Sequence, residues 1–354
     1  MSRFLSQKYK NLVPYTPGEQ PKQMKYIKLN TNESPFPPSK KAVAEAEKTL
    51  NNLQLYSDPE AARLKKSLAV TFGVSEDEVL PTNGSDEILN FAFMAFCDSQ
   101  KGAAFADITY GFYPVFADIN NIPYTKIPLK EDFTIDITKY FGLGKTIFIA
   151  NPNAPTGIAL SLPQIRQILD NNRDSVVVID EAYVDFGAES CVPLIYEYDN
   201  LLVTQTFSKS RSMAGARLGV GIGCKSLIAD LNAIKYSTNP YNVNSVTMAA
   251  GIGALSDEEY TKNNCKTIAQ NREWLKKELT ALGFEMTNSL SNFVFAKHKT
   301  ADGEKLYLAL KQKGILVRHF SAPRIWEYLR ITIGTLDDMK TLVETLKEIL
   351  EEMK

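Results

Sequence analysis

Short apolar runs of four to six residues alternate with helical patterns over residues 40–255. The clearest run, 176–179, holds four β-branched residues, as expected of a parallel strand buried on both faces. Similar runs lie at 103–106, 122–127, 146–150, 201–206 and 218–222, with helical patterns at 39–53, 58–72 and 88–97. Because alternating strands and helices form parallel sheets, the sequence predicts an α/β domain whose mostly parallel sheet is flanked by helices.

A long helical pattern at 258–282 leads into a shorter region. Strand-like runs follow at 292–297, 315–317 and 328–333, and an amphipathic helix at 337–353 closes the chain. We expect an N-terminal arm at 1–38, a large domain at 39–257 and a smaller α/β C-terminal domain at 258–354. The arm holds six prolines and is expected to be irregular, so it must lie against something else to be ordered.

Charge and composition exclude several classes of protein. Forty basic and forty-one acidic residues give a net charge of −1, whereas nucleic-acid binders usually show a basic excess. The N-terminus lacks the apolar stretch of a signal peptide, and no apolar run approaches the ~18 residues of a membrane span. Four scattered cysteines and two histidines argue against a disulfide framework and a metal centre. We therefore expect a soluble, cytoplasmic protein that binds neither nucleic acid nor membrane and has no metal site.

The segment Thr206-Phe207-Ser208-Lys209 places a lysine directly after a predicted buried strand. A lysine viewed alone is most often exposed to solvent. In this setting, desolvation and a neighbouring cation could lower its pKa and make it an amine nucleophile. Arg217 could supply that charge and could also bind a phosphate, with Thr206 and Ser208 adding hydroxyl donors.

Asp180 follows the run at 176–179, and α/β sheets place their ligands at this end of a strand. A carboxylate there could keep a pyridinium nitrogen protonated, so that the ring accepts electrons from a carbanion. Tyr183 could donate a hydrogen bond to a phenolic oxygen of the same group. Each residue alone is more simply explained, as a helix N-cap and a core tyrosine.

Two loops add weaker signals. Asn83-Gly84-Ser85 opens the predicted helix at 88–97, and the backbone N–H groups at a helix start form an anion site. The loop at 151–157 holds two prolines and a glycine, which make it rigid. Either loop alone would pass as an ordinary turn.

Taken together and in this order, the segments resemble the fold-type-I pyridoxal-phosphate aminotransferases over nearly the whole chain. The resemblance implies that Lys209 forms a Schiff base with pyridoxal 5'-phosphate and later moves the substrate proton. It also implies that Asp180 pairs with the pyridinium nitrogen and that Tyr183 binds the phenolic oxygen. The matching residues for the cofactor phosphate and for stacking on the ring are Ser85, Asp86, Thr206, Ser208, Arg217 and Tyr110.

Four further segments are similar to the hallmarks of one branch, the histidinol-phosphate aminotransferases; they lie at 11–15, 28–35, 317–318 and 329–334. In that branch two C-terminal arginines and an N-terminal tyrosine grip the substrate phosphate, and they match Arg318, Arg330 and Tyr15. Asn32, in the second segment, is expected to contact substrate. Tyr56 matches a tyrosine that reaches the partner's cofactor phosphate in a homodimer. The implied reaction converts L-histidinol phosphate and 2-oxoglutarate to imidazole-acetol phosphate and L-glutamate.

One departure from the family pattern lies in the rigid loop. Relatives usually carry an asparagine that donates to the cofactor's phenolic oxygen, and this chain has Ala154 there. The loss of such a bond costs about 1.5–3 kcal/mol, and Tyr183, Asn153 or a water could compensate.

The sequence leaves two related activities open, an aromatic amino-acid aminotransferase and a phosphothreonine decarboxylase. A cofactor-binding transcription regulator would need a basic helix-turn-helix extension, for which the N-terminal arm leaves no room. A nicotinamide-dependent oxidoreductase would need a glycine fingerprint after an early strand. The glycines at 219–223 come late and lack that spacing, so we reject this class.

Overall fold

The computed structural model of the chain describes residues 2–21 and 24–353. Its strands are β1 (Ile27–Lys28), β2 (Val79–Thr82), β3 (Ala103–Ala106), β4 (Tyr124–Ile127), β5 (Thr146–Ala150), β6 (Val177–Asp180), β7 (Leu201–Thr206), β8 (Gly219–Gly223), β9 (Phe284–Met286), β10 (Phe293–His298), β11 (Ile315–Leu316), β12 (Arg318–His319) and β13 (Leu329–Thr332). Its helices are α1 (Lys40–Glu47), α2 (Ala62–Phe72), α3 (Ser85–Phe96), α4 (Phe112–Ile119), α5 (Leu162–Asp170), α6 (Lys225–Thr238), α7 (Ser245–Leu255), α8 (Glu258–Ala281), α9 (Gly303–Gln312) and α10 (Leu336–Glu352).

Seven strands form the central sheet, in the order β2-β8-β7-β6-β5-β3-β4. The five strands from β7 to β4 are parallel, and β8 runs antiparallel to both β7 and β2. The predicted mostly parallel α/β sheet is therefore confirmed. The direction in which the chain adds strands reverses between β3 and β5, and ligands bind in doubly wound folds at such a reversal.

Helices cover both faces of this sheet, which explains why its central strands are buried along their whole length. Every residue of β5, β6 and β7 is buried, and parallel sheets keep such strands dry by packing helices on each side. Apolar side chains of α2, α5 and α7 pack on one face. Those of α3, α4 and α6 pack on the other.

A second, antiparallel sheet has the order β12-β13-β10-β9. Side chains of α8, α9 and α10 cover it, and together they form a separate hydrophobic cluster. The long helix predicted at 258–282 is α8, which ends just before Gly283. This sheet positions the hairpin of β12 and β13, which forms one wall of the site.

The N-terminal arm is more ordered than the sequence suggests. Strand β1 pairs in parallel with β11, and Leu29 is buried in the cluster of the second sheet. Residues 27–32 thus pack on their own chain, which corrects the expectation for this part of the arm, while residues 2–21 are irregular apart from a short 3-10 helix at Gln7–Tyr9. Residues 27–32 are therefore no argument for a partner subunit. Within the residues that the structure describes, no helix is long and apolar enough to cross a membrane.

Candidate active site

A cavity of about 530 Å³ lies between the carboxyl ends of the central strands and the β12–β13 hairpin. Ala150, Asp180 and Thr206 end β5, β6 and β7, and all three line it. The cavity therefore lies at the edge of the sheet where α/β folds bind ligands.

Thirteen of the residues predicted to act line this cavity. They are Tyr15, Asn32, Ser85, Asp86, Tyr110, Asp180, Tyr183, Thr206, Ser208, Lys209, Arg217, Arg318 and Arg330. Two others, Asn153 and Tyr56, are not among the lining residues. The fold thus gathers groups from the arm, the central sheet and the second sheet around one space.

Asp180 is a buried carboxylate with an environment of neutral hydrogen-bond donors. The Tyr113 hydroxyl donates to Oδ2 at 3.0 Å, and the Ala182 N–H donates to Oδ1 at 3.2 Å. Burial raises the pKa of Asp180 to about 7, and the Tyr113 hydrogen bond opposes that rise. Among the described residues it has no cation within salt-bridge distance. A protonated ring nitrogen in the cavity would supply the missing positive charge and favour the ionised carboxylate.

Lys209 extends from the loop after β7 into the cavity. Its Nζ donates to the Thr31 carbonyl oxygen at 3.0 Å and lies 6.0 Å from the centre of the Tyr183 ring. Burial, together with the positive charge of Arg330, lowers the pKa of Lys209 to about 8. A larger neutral fraction makes the amine a better nucleophile at physiological pH.

Hydroxyl groups and a guanidinium form a cradle beside Lys209. The Thr206 hydroxyl donates to Ser208 Oγ at 3.0 Å, and Arg217 Nη1 approaches the same oxygen at 3.4 Å. Ser85 is the first residue of α3, so backbone N–H groups at the start of that helix also face this region. Such donors suit a phosphate, because the helix start and the arginine both favour negative charge.

Gly84 leaves room for this cradle. Its φ is +79°, a backbone conformation that residues other than glycine rarely adopt. A Cβ at this position would lie 2.6 Å from Arg217 Nη2. The glycine therefore allows the guanidinium to approach the start of α3.

Two arginines face each other across β12 and β13. Arg318 and Arg330 are direct partners in the antiparallel register, a position where like charges destabilise a sheet. Arg330 Nη2 donates to the Asn30 carbonyl oxygen at 3.0 Å, and its buried Nε has no hydrogen-bond partner. Arg318 makes only long contacts, of 3.4 and 3.5 Å, to arm carbonyl oxygens. Within the described chain neither has a carboxylate within 4 Å, so the pair is arranged for an anion from outside.

The rings of Tyr110 and Tyr15 form part of the cavity wall. The Tyr110 hydroxyl donates to Asp86 Oδ1 at 2.6 Å, and Arg217 Nη2 donates to Asp86 Oδ2 at 2.9 Å. The Tyr15 ring stacks on Phe112 with centroids 4.2 Å apart. Asp86 therefore fixes both the aromatic wall and the arginine of the cradle.

Asn153 and Ala154 occupy different places in the rigid loop. The Asn153 amide accepts from the Thr109 hydroxyl at 2.8 Å and donates to the Ile108 carbonyl oxygen at 3.0 Å and to Thr156 Oγ1 at 3.1 Å. These bonds hold the loop together, and the side chain does not line the cavity. Ala154 does line it, but contributes only a methyl group.

Tyr56 lies outside the cavity. Its side chain is 83% exposed, and its ring stacks on Tyr241 at 4.5 Å. Any role of Tyr56 at an active site therefore requires a second subunit.

Several residues of the site escaped sequence reasoning. Tyr113 carried no sequence prediction, although it follows Tyr110 at the i+3 spacing of a helix face. Thr31 binds Lys209 through its backbone, which leaves no signal in the side chain. Glu33 lines the cavity, and the Lys28 ammonium and Thr31 hydroxyl that bond to it hold its pKa below the usual range.

The donor set fits pyridoxal 5'-phosphate. A buried carboxylate without a cation, an amine of lowered pKa and a cradle of hydroxyl and guanidinium groups match its ring nitrogen, aldehyde and phosphate. Arg318 and Arg330, which have no carboxylate within 4 Å in the described chain, lie on another wall and would remain available for a second anion.

Comparisons with known proteins agree with this geometry. Residues 24–346 match the family model for aminotransferases of class I and II. A histidinol-phosphate aminotransferase of Brachyspira hyodysenteriae is 50% identical over 355 residues, covering 99% of this chain and 100% of that protein. One from Lactococcus lactis subsp. cremoris is 47% identical over 344 residues, covering 97% and 96%.

A solved structure supports the fold. The histidinol-phosphate aminotransferase of Sinorhizobium meliloti in complex with pyridoxal-5'-phosphate has a TM-score of 0.84 against this chain. The alignment covers 93% of this chain and 92% of that one at 21% sequence identity.

Proposed function

Because the chain belongs to the class I and II aminotransferases, we propose that it transfers the amino group of L-histidinol phosphate to 2-oxoglutarate. The products are imidazole-acetol phosphate and L-glutamate, and the reaction serves histidine biosynthesis. Relatives that match over the whole chain at up to 50% identity carry this activity in their names.

The arginine pair without a carboxylate partner is the observation that supports the substrate most directly. Histidinol phosphate has a phosphate and no carboxylate, so the site must recognise a dianion at a distance from the reacting amine. Arg318 and Arg330 offer two guanidinium groups on the wall formed by the second sheet. The same pair can accept a carboxylate of glutamate in the other half-reaction. Tyr15 is proposed to assist them.

Pyridoxal 5'-phosphate supplies an aldehyde that amines can bond and a ring that accepts the electron pair left when a proton leaves the substrate Cα. Lys209 is the amine proposed to hold it. We assign Asp180 to its ring nitrogen, the Tyr183 hydroxyl to its phenolic oxygen and Tyr110 to its ring face. We assign its phosphate to Ser85, Asp86, Thr206, Ser208 and Arg217. Among these, Asp86 acts by orienting the Arg217 guanidinium.

Lys209 is also the proposed proton carrier. With cofactor and substrate bound, the neutral Nζ of Lys209 would take the proton from the substrate Cα and would hold it for its later return. The lowered pKa suits both directions, since a general base works best with a pKa near the working pH.

A homodimer is the proposed working form, with Tyr56 reaching the partner's cofactor phosphate. The support is the exposure of Tyr56 beside other exposed apolar side chains, among them Leu53 and Leu55. A cytoplasmic location is part of the same proposal.

The amino-donor profile tests the substrate. We expect kcat/KM for histidinol phosphate to exceed that for phenylalanine by at least about a hundredfold, the value of one charge-assisted anion contact. Equal values would favour an aromatic aminotransferase. Release of carbon dioxide from phosphothreonine would favour a decarboxylase of the same fold.

A further inference from the structure

Two hydrogen bonds in series connect strand β13 to the Tyr183 hydroxyl. Thr332, which is buried, donates from Oγ1 to Asn32 Oδ1 at 3.0 Å. Asn32 Nδ2 in turn donates to Tyr183 Oη at 2.9 Å. Thr332 also accepts the Asn32 backbone N–H at 3.0 Å, so the two residues are bonded twice.

Asn32 has little freedom to move. It is 1% exposed and adopts a φ of +56°, in the left-handed region. Its carbonyl oxygen accepts a hydrogen bond from Asn292 Nδ2 at 3.0 Å. The backbone is therefore held on both sides, and the remaining variable is the orientation of the side-chain amide.

The Thr332 hydroxyl sets that orientation. A backbone N–H can only donate, so Thr332 Oγ1 accepts from it and keeps its own proton for Asn32 Oδ1. If the amide were reversed, the buried Thr332 proton would have no acceptor among the described residues, and such a loss is costly. With the amide as it stands, its NH₂ group faces Tyr183.

The direction of the last bond decides what Tyr183 can do. Its oxygen accepts from Asn32, so its proton stays available for the cavity. A reversed amide would place Oδ1 against the tyrosine and capture that proton. Burial raises the pKa of Tyr183, so the hydroxyl remains protonated at neutral pH. Ala154, with only a methyl group on the cavity wall, offers no side-chain donor in its place.

We propose that Thr332 is a positioning residue, which acts through Asn32 to keep the Tyr183 hydroxyl donating into the cavity. The inference rests on the proposed function, in which that hydroxyl meets the phenolic oxygen of pyridoxal 5'-phosphate. It gives Asn32 a role in orienting Tyr183, in addition to its place in the cavity wall.

The experiment is a pH titration of the visible absorbance of the cofactor-loaded enzyme. A hydrogen-bond donor to the phenolic oxygen stabilises the negative charge of that oxygen. When the donor is lost, the pKa of the lysine–cofactor linkage rises, and the linkage stays protonated to higher pH. Thr332→Val keeps the shape and removes the hydroxyl. We expect it to raise the titration midpoint by about one pH unit, the size expected for one lost bond to a charged oxygen. Turnover should fall with KM for histidinol phosphate within about twofold, because the arginine pair is intact.

Two variants make the result decisive. Thr332→Ser restores the hydroxyl and should have the titration midpoint of the wild type. A midpoint shift as large as that of Thr332→Val would mean that packing, not the hydroxyl, is responsible. Tyr183→Phe should shift the midpoint at least as far as Thr332→Val. If the midpoint shifts in Tyr183→Phe but not in Thr332→Val, the positioning role of Thr332 is wrong and the proposed function stands. If Tyr183→Phe itself gives no shift, the assignment of Tyr183 is wrong. Thr332→Ala, which adds no atom, replaces the valine variant if that one does not fold.

Discussion

Lys209 illustrates what can be learned from one residue and its neighbours. A single lysine in a sequence gives no indication that it is buried. The prediction of a nucleophile depends on the position of Lys209 after a buried strand and on its spacing from Asp180 and Arg217. The structure adds the cause, which is desolvation together with the charge of Arg330. Arg330 is far away in the chain, so this electrostatic coupling could not be predicted from local sequence.

The lowered pKa of Lys209 predicts how the apoenzyme captures its cofactor. With a pKa of about 8, roughly a tenth of the amine is neutral at pH 7, against fewer than about one in a thousand at the ordinary value. The rate of covalent capture of pyridoxal 5'-phosphate, followed by stopped-flow absorbance, should rise with pH and level off above a midpoint near 8.

A rate that still climbs beyond pH 10 would show that the pKa is not lowered. Lys209→Ala serves as the control: it should show no absorbance change from covalent capture at any pH and should keep no visible absorbance after dialysis. Lys262→Ala, on the exposed face of α8, should behave as the wild type.

At the scale of elements, strands were easier to predict than helices. The runs at 103–106, 146–150 and 201–206 match β3, β5 and β7 residue for residue, because strands buried on both faces are rich in apolar residues. Helix α7 was not predicted, because small and apolar residues lie on all of its sides and the sequence shows no helical periodicity of hydrophobic residues. Strand β12 has two residues, too few for any pattern.

The order of the arm was also beyond the sequence. Pairing of β1 with β11 is a contact between distant segments, which local patterns cannot show. The predicted divisions at 38/39 and 257/258 stay predictions. The arginine pair could be predicted only in part. Arg318 and Arg330 were each predicted, but their direct pairing depends on the register between β12 and β13, which local sequence does not show.

The β12–β13 hairpin should respond to anions. Its opposed Arg318 and Arg330 repel each other, so an anion bound between them stabilises the folded state. Inorganic phosphate at about ten times its Kd should raise the Tm of the cofactor-loaded enzyme by about 2–4 °C, measured by calorimetry. Loading the cofactor first keeps phosphate out of the Arg217 cradle.

The double variant Arg318→Ala/Arg330→Ala should lose this response. Arg173→Ala removes a surface arginine paired with Asp170 and should keep it. An equal rise in the double variant would place phosphate elsewhere and contradict the account of the hairpin.

At the scale of the whole molecule, one protomer leaves Tyr56 without a role. If it completes the partner's site, Tyr56→Phe should weaken cofactor binding by about 10- to 100-fold, the value of one bond to a phosphate, as measured by fluorescence titration. Tyr196→Phe, another exposed tyrosine, should have no such effect.

Mixing two defective proteins tests the sharing of sites. Lys209→Ala and Tyr56→Phe subunits, exchanged in one solution, should form heterodimers with one complete site and so recover activity at low cofactor concentration. An absence of recovery despite exchange, or an active monomer by light scattering, would refute the proposed dimer.

The recognition of the substrate phosphate by Arg318 and Arg330 is the central claim, and one ratio tests it most directly. It is kcat/KM for histidinol phosphate divided by kcat/KM for histidinol, measured in the wild type and in Arg318→Ala/Arg330→Ala. We predict a preference for the phosphorylated donor of at least about a hundredfold in the wild type, and its near loss in the variant. A preference that survives in a folded, cofactor-loaded variant would contradict the account.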